Sequence, residues 1–248
     1  FFFLSVLHTA EKLRRHSLPR MAALGNMPSS SSAMCISPVG IVNACRPQQA
    51  ALQAYNLAGL IHVHDVGFCQ DGAAAMAAAV AAAMAPEATV ESILASGVGV
   101  VMPRSGREMR ERIEQALQLA RASASYEAFR EALYAQGERF FCTLICDARE
   151  TVPLTFAILL LADGDVERCV TYAANLGRDA DTIGTMAGAI AGALGGVESI
   201  RADWVAKAKL LSSVSQEDLA LRLVQTAVEK HRREQAGQAL FASIMGNS

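Results

Sequence analysis

The sequence predicts an all-α protein, a single compact orthogonal helical bundle of about ten helices in one domain over residues 1–248. Composition is the first observation, because 52% of the residues are apolar while only 6% are aromatic, and alanine makes up the difference. Alanine-rich segments that are poor in aromatic and β-branched residues favour closely packed helices over sheets. The second observation is that no segment alternates apolar and polar residues in the manner of a strand.

Start and stop signals place the individual helices along the chain. Pro47 suits the first turn of a helix and Pro86 ends another, while Gly177 suits a helix end and Ser215 a helix start. Residues 21–47 are predicted to form a loop, because they contain three prolines, two glycines and four consecutive serines. The predicted helices cover residues 4–16, 47–62, 67–86, 89–102, 104–122, 125–135, 151–165, 166–177, 181–195 and the segment from 215 onward.

The overall balance of charges and cysteines excludes several classes of function. With 22 basic and 24 acidic side chains, the chain lacks the positive excess that attracts nucleic acid. No stretch reaches the roughly 18 to 20 uninterrupted apolar residues of a membrane span. The six cysteines form no CxxC pair and no His/Cys metal spacing, so we interpret them as small core residues in a reducing compartment. We therefore expect a cytoplasmic protein that binds neither nucleic acid nor membrane.

Charged oxygens directly precede an Ala/Gly-rich helix in the segment NLGRDADTIGTMAGAIAGALGG, residues 175–196. One aspartate, Asp179 or Asp181, would be enough to cap this helix. Two neighbouring carboxylates repel each other unless a cation lies between them, and together with the hydroxyl of Thr182 they are hard ligands of the kind that magnesium or calcium accepts. The residues alone leave a capped core helix and a metal site both open. The four glycines of the helix would suit neighbouring helices that approach closely and keep its start rigid.

Four stretches, in this order along the chain, carry a resemblance to a known family. They are GNMPSSSSAMCISPVGIVNA (25–44), LIHVHDVGFCQDGAAAMAAAVAAAM (60–84), ETVPLTFAILLLADGDVERCVTYAANLG (150–177) and GRDADTIGTMAGAIAGALGG (177–196). They resemble the ADP-ribosylglycohydrolase family, in which a D-x-D-T run is followed by an Ala/Gly helix. The resemblance implies an all-α fold and a magnesium-dependent hydrolase that cleaves an ADP-ribosyl, or related ribosyl, glycosidic bond.

The same resemblance implies the residues of a site. Asp179, Asp181 and Thr182 match the family's C-terminal ligands of a pair of Mg²⁺ ions, and His64 matches a histidine beside the ligand. The loop of Ser30, Ser31, Ser32, Ala33 and Met34 matches the segment that holds ribose and phosphates. The implied partner is an ADP-ribose-containing small molecule or an ADP-ribosylated protein. We assign no catalytic acid or base.

The sequence departs from the family pattern at its N-terminal side. We find no Thr-Asp-Asp run, which in the family supplies further metal ligands, and therefore expect an N-terminally truncated member. A hard cation needs around six oxygen ligands, and Asp179, Asp181 and Thr182 supply fewer. The sequence therefore leaves open whether two Mg²⁺ ions, one or none bind here. The alternative function is a catalytically inactive relative that acts as an ADP-ribose-binding or structural protein. Surface left bare by missing N-terminal helices would favour self-association.

Overall fold

The computed structural model describes residues 3–246, which form α-helices and short 3₁₀ turns without any strand. The predicted all-α class is therefore confirmed. The α-helices are α1 (Leu4–Arg14), α2 (Ser31–Met34), α3 (Ser37–Val42), α4 (Pro47–Ala58), α5 (Phe68–Ala83), α6 (Val90–Gly99), α7 (Arg107–Ala122), α8 (Tyr126–Ala135), α9 (Gly137–Phe140), α10 (Ala148–Leu161), α11 (Val166–Leu176), α12 (Ala180–Gly195), α13 (Ala202–Leu211) and α14 (Gln216–Met245). The 3₁₀ turns are Pro19–Met21, His64–Val66 and Val197–Ser199.

Four of these helices, α2, α3, α9 and α13, are additional to the ten that the sequence predicts. Helices α2 and α3 lie inside residues 21–47, so the loop prediction for that segment is wrong in part. Pro38 falls in the first turn of α3, where a missing backbone N–H costs nothing. Gly40 then lets α3 lie directly on α5, because a Cβ at this position would be 2.6 Å from the Cβ of Val80. Tertiary contact, rather than local helix propensity, forms these short helices.

Helix α5 is the centre of the molecule. Every residue from Cys69 to Ala83 is buried, and most of them are alanine. Since small side chains cover this helix on all sides, neighbours pack around it, and it contacts α2, α3, α4, α6, α7, α10 and α12. A helix that is apolar all round belongs in the interior of a domain.

Helix α10 is the second buried helix. It was predicted to begin near residue 151, but it begins at Ala148 because Asp147 caps it by accepting a hydrogen bond from the backbone N–H of Arg149. The helix packs on α5, α7, α11 and α12. The earlier start brings Glu150 into the first turn of the helix, where its side chain is fully buried.

Close packing requires only one of the four glycines of α12, Gly195, where a Cβ would lie 2.5 Å from the hydroxyl oxygen of Ser199. A Cβ on Gly184 or on Gly188 would meet α11 at 3.5 Å, which is ordinary van der Waals contact. A Cβ on Gly192 would meet no atom of the described residues within 4 Å. The interpretation of the cysteines is also wrong in part, because Cys69 and Cys169 are buried but Cys35 and Cys45 are exposed.

Helices α13 and α14 contribute no buried residue. Helix α14 is attached to the rest of the chain through polar contacts, in which Lys230 donates a 2.7 Å hydrogen bond to Asn43 and Glu234 pairs with Arg46. Apolar side chains such as Phe241 and Ile244 stay exposed. Self-association remains a prediction. None of the described helices is both long enough and apolar enough to cross a membrane.

Candidate functional site

The turn between α11 and α12 sets the position of Asp179. Gly177 has φ 84° and Arg178 has φ 60°, so two successive residues adopt left-handed backbone conformations. A Cβ on Gly177 would lie 2.7 Å from the hydroxyl of Tyr134, which itself donates a 2.8 Å hydrogen bond to the carbonyl of Leu176. Glycine is therefore required here for both conformation and space.

Asp179 occupies the N-cap position of α12, but its side chain accepts no capping hydrogen bond. The simpler interpretation of this aspartate as a helix cap thus lacks the hydrogen bond that would support it. Asp179 is only 9% exposed, while Asp181 is exposed and Thr182 is buried. Burial raises the pKa of the Asp179 carboxyl, and the charge of Asp181 adds to the effect, although the hydroxyls of Thr182 and Ser30 oppose it. A positive charge at this point would stabilise both carboxylates.

The serine loop lies against the start of α12. The hydroxyl of Ser30 is 3.5 Å from Oδ2 of Asp179, and the hydroxyl of Thr182 is 3.7 Å from the sulfur of Met34. The structure therefore brings the sequence-predicted metal ligands and the sequence-predicted ligand loop together at one place. Because about 150 residues separate the two segments, only the tertiary fold can make this contact.

A buried histidine fixes the serine loop, and it is His62 rather than His64. The His62 ring is completely buried, with Nε2 3.0 Å from the hydroxyl of Ser29 and Nδ1 2.9 Å from that of Ser32. Burial lowers the pKa of His62 to about 4, so the ring is neutral at pH 7. A neutral imidazole has one donor nitrogen and one acceptor nitrogen, which matches two hydroxyl partners.

The predicted ligand residue His64 lies in a different environment. It is exposed in the 3₁₀ turn that follows His62, with φ 64° and with Nδ1 3.9 Å from Asp65. The structure gives it no contact with the serine loop, so a role beside the ligand stays a prediction. The contact of His62 with the serines was missed, because spacing alone does not distinguish two histidines two residues apart.

A partly buried ion pair, between the buried Glu150 and the half-buried Arg178, holds the residue directly before Asp179. Nε and Nη2 of Arg178 donate hydrogen bonds of 2.7 and 2.8 Å to the two carboxylate oxygens of Glu150. Nη2 also donates to the carbonyl of Cys142, and the guanidinium lies 4.5 Å from the ring centre of Phe141. The bond to Glu150 raises the pKa of Arg178 above its usual value. This pairing fixes the left-handed turn on which Asp179 is placed.

Residues 142–147 connect the two halves of the site. At one end, the backbone N–H of Cys142 donates a 2.7 Å hydrogen bond to Glu150. At the other end, the carbonyl of Cys146 accepts a 2.6 Å hydrogen bond from the backbone N–H of Ser30. The next residue, Asp147, is buried and is paired with Arg149 at 2.8 Å. Sequence reasoning missed this connection, because the segment has no regular periodicity.

The donors at the start of α12 fit part of the coordination shell of one hard cation. They are two carboxylates, Asp179 and Asp181, and the hydroxyl of Thr182, with Ser30 beside them. A buried, uncapped carboxylate next to a second carboxylate is the arrangement that a cation would stabilise. Residues 3–246 contain no cluster of three or more His, Cys, Asp or Glu residues suited to a metal. Further oxygens would have to come from water or substrate.

Comparison with known proteins gives a family match and several related chains. The family model described as ADP-ribosylglycohydrolase matches residues 4–234. The chain is 32% identical over 215 residues to the uncharacterized protein YegU of Escherichia coli (strain K12). The matched region covers 84% of this chain and 61% of YegU. It is 38% identical over 93 residues to the ADP-ribosylhydrolase ARH3 of Danio rerio, a match that covers 37% of this chain and 23% of that protein. It is 33% identical over 99 residues to the ADP-ribosylhydrolase ARH3 of Mus musculus, a match that covers 40% of this chain and 23% of that protein. The chain thus spans less than two thirds of the length of the curated relatives that it matches.

Proposed function

Because the chain belongs to the ADP-ribosylglycohydrolase family, we propose that it hydrolyses the glycosidic bond between ADP-ribose and an acceptor, with the aid of Mg²⁺. The substrate is an ADP-ribose-containing small molecule or an ADP-ribosylated protein. The observation that carries this proposal is the contact between Ser30 and Asp179, which joins a hydroxyl-rich loop to a pair of carboxylates. Hydroxyls suit the ribose and phosphate oxygens of such a substrate, and carboxylates suit a cation beside them.

The residues of the loop divide into two roles. Ser30 and Met34 face Asp179 and Thr182, so they are the loop residues that we place next to the substrate. The hydroxyls of Ser31 and Ser32 are already bonded to Ser29 and His62, so we assign them to support of the loop. The loop would therefore be rigid before the ligand arrives, which lowers the entropy cost of binding.

The two aspartates are assigned to the cation, together with Thr182. Glycosidic cleavage passes through an oxocarbenium-like transition state, and a bound cation supplies orientation of sugar hydroxyls and water. Asp179 would hold that charge at a fixed point, because Arg178 and Glu150 fix the turn before it. The exposed Asp181 would contribute the second carboxylate from the solvent side.

A hydrolysis assay tests this function. Peptides carrying ADP-ribose on serine or on arginine are incubated with the protein, in Mg²⁺ or in EDTA, and free ADP-ribose is measured. Asp179→Asn removes one carboxylate charge with little change of shape. Asp163→Asn is the matched control, since Asp163 is an exposed residue of the turn after α10. We expect Mg²⁺-dependent release that survives in the control and is lost in Asp179→Asn. Release that is equal in all three proteins would refute the assigned site.

A second candidate function is binding of ADP-ribose without cleavage. It is favoured by one observation, namely that the start of α12 offers only two carboxylates and that the described residues contain no cluster of three or more metal-ligating side chains. In that case ADP-ribose would bind to the wild-type protein, and no peptide would release ADP-ribose under any condition of the assay.

A further inference from the structure

A cavity lies between α4, α5 and the residues that follow α6, apart from the site described above. Its volume is about 190 Å³, and Leu52, Ala74, Val100 and Met102 form an apolar wall. Three polar side chains, Asp71, Tyr55 and Gln48, line the same space, and Asp71 is the only one of them that carries a charge. The side chains of Leu52 and Met102 are exposed, so the cavity is open to solvent at this edge. None of its lining residues belongs to the site described above.

Asp71 is the unusual member of this group. It is only 3% exposed, and no donor among residues 3–246 makes a hydrogen bond to its carboxylate. The ion pairs of the described residues do not include it either. Its oxygens are not among the completely buried side-chain atoms that lack a partner, so they keep a small accessible surface. Such a carboxylate is still costly in its ionised form, because it has lost most of its hydration without gaining a bond from the protein.

Asp71 lines the cavity together with Tyr55, and the backbone directly before α7 confines its carboxylate on another side. Gly106 approaches so closely that a Cβ on it would be 3.0 Å from Oδ1 of Asp71. Burial raises the pKa of Asp71 to about 6, so the group is still mostly ionised at pH 7.5. Tyr55 lines the same cavity, and the charge of Asp71 is, after burial, the second cause that raises the pKa of Tyr55.

No cation of the described residues forms an ion pair with Asp71, and burial alone accounts for its raised pKa. Arg110 donates through Nη2 to the carbonyl of Val101 at 2.5 Å, and Arg107 lies 3.8 Å from Glu111. The single carboxylate is too few oxygens for a hard metal ion, whose coordination shell needs about six. An apolar wall beside one negative charge instead matches a ligand with an alkyl body and a positive end.

We propose that this cavity binds a small organic cation, an alkylammonium or alkylguanidinium, whose charge pairs with Asp71 while its alkyl part lies against Leu52 and Met102. The aromatic side chain of Tyr55 adds a surface on which cations bind favourably. This inference is independent of the proposed hydrolase function, because it uses neither the serine loop nor the aspartates of α12.

The test uses ¹³C-methyl-methionine NMR of the protein at pH 7.5, with n-butylammonium as the probe. The methyl group of Met102 reports on the cavity, and the buried Met76 in α5 serves as an internal reference. We expect a saturable shift of the Met102 signal with n-butylammonium, and a much weaker one with the neutral analogue n-butanol. The Met76 signal should stay in place.

Variants identify the charge that is responsible. Asp71→Asn should weaken n-butylammonium binding by at least about tenfold, the loss expected when one desolvated charge pair is removed, whereas Asp163→Asn should leave it unchanged. Equal binding of n-butanol and n-butylammonium, or no saturable shift of Met102, would overturn the proposal. The comparison of n-butanol with n-butylammonium uses the wild-type protein alone, so it tests the proposal even if Asp71→Asn does not fold.

Discussion

Glu150 and Arg178 form a two-point ion pair, with N–O distances of 2.7 and 2.8 Å, between the first turn of α10 and the residue that precedes Asp179. The Glu150 side chain is fully buried, and Arg178 is held in a left-handed conformation. The pair connects the buried core helix α10 to the turn that carries the candidate metal ligands. Stability of the fold and geometry of the site therefore depend on the same contact.

Glu150→Gln should lower the free energy of unfolding by about 2 kcal/mol, because it leaves the guanidinium of Arg178 with a weaker, neutral acceptor in a poorly hydrated place. Urea unfolding followed by circular dichroism measures this change. The control is Glu108→Gln, which breaks surface pairs with Arg149 at 3.2 Å and with Arg112 at 3.7 Å. Each such surface pair should cost no more than about 0.5 kcal/mol. Equal effects of the two substitutions would contradict the structural role of Glu150.

His62 should make stability depend on pH between about 4 and 6.5. Its pKa is 6.5 in the unfolded chain and about 4 in the folded protein, so the unfolded state binds more protons within this range. The contribution of about 3 kcal/mol is fully present above pH 6.5 and is lost as the pH falls through 4.

Urea unfolding across this pH range, for the wild type and for His62→Asn, measures that contribution. The variant should be less stable at pH 7, because the hydroxyls of Ser29 and Ser32 lose a partner, and its stability should fall less steeply toward pH 4. Identical slopes for both proteins would mean that His62 is not buried in neutral form.

Two glycine substitutions should have opposite effects. Gly177→Ala should cost about 1 to 2 kcal/mol, because its φ of 84° is unfavourable for alanine and the new Cβ would meet the hydroxyl of Tyr134 at 2.7 Å. Gly192→Ala should stabilise by about 0.5 to 1 kcal/mol, since it lies inside α12 with nothing within 4 Å of the new methyl group. Thermal unfolding of both variants checks the signs. A stabilising effect at Gly177 would show that the turn is not as described.

Capping residues and turn residues in the sequence predicted most long helices, because these helices begin and end at such residues in the structure. Thr89 and Ser92 form a reciprocal capping box at α6, Gly177 ends α11, and Ser215 caps α14 by accepting from the N–H of Asp218. The predicted start of α10 was wrong, because the helix is capped at Asp147, before the apolar residues that indicate a helix from residue 151.

The parts that were missed depend on contacts between distant residues. Short helix α3 exists because Gly40 packs on Val80, and no local pattern contains that information. The contacts of His62 are with serines 30 or more residues away, so no local pattern indicates them. The contact between Ser30 and Asp179 could be expected only from the family resemblance. The two residues are 149 positions apart, and no local sequence pattern indicates a contact over that distance.

The central claim is that the serine loop and the aspartates of α12 form one Mg²⁺-dependent site for ADP-ribose. Isothermal titration of ADP-ribose into the wild type, Asp179→Asn and Asp163→Asn, each with Mg²⁺ and with EDTA, tests it most directly. The account predicts binding that is strengthened by Mg²⁺ in the wild type and in Asp163→Asn, and that is at least about tenfold weaker in Asp179→Asn. Equal affinity in all three proteins, with no effect of Mg²⁺, would contradict it.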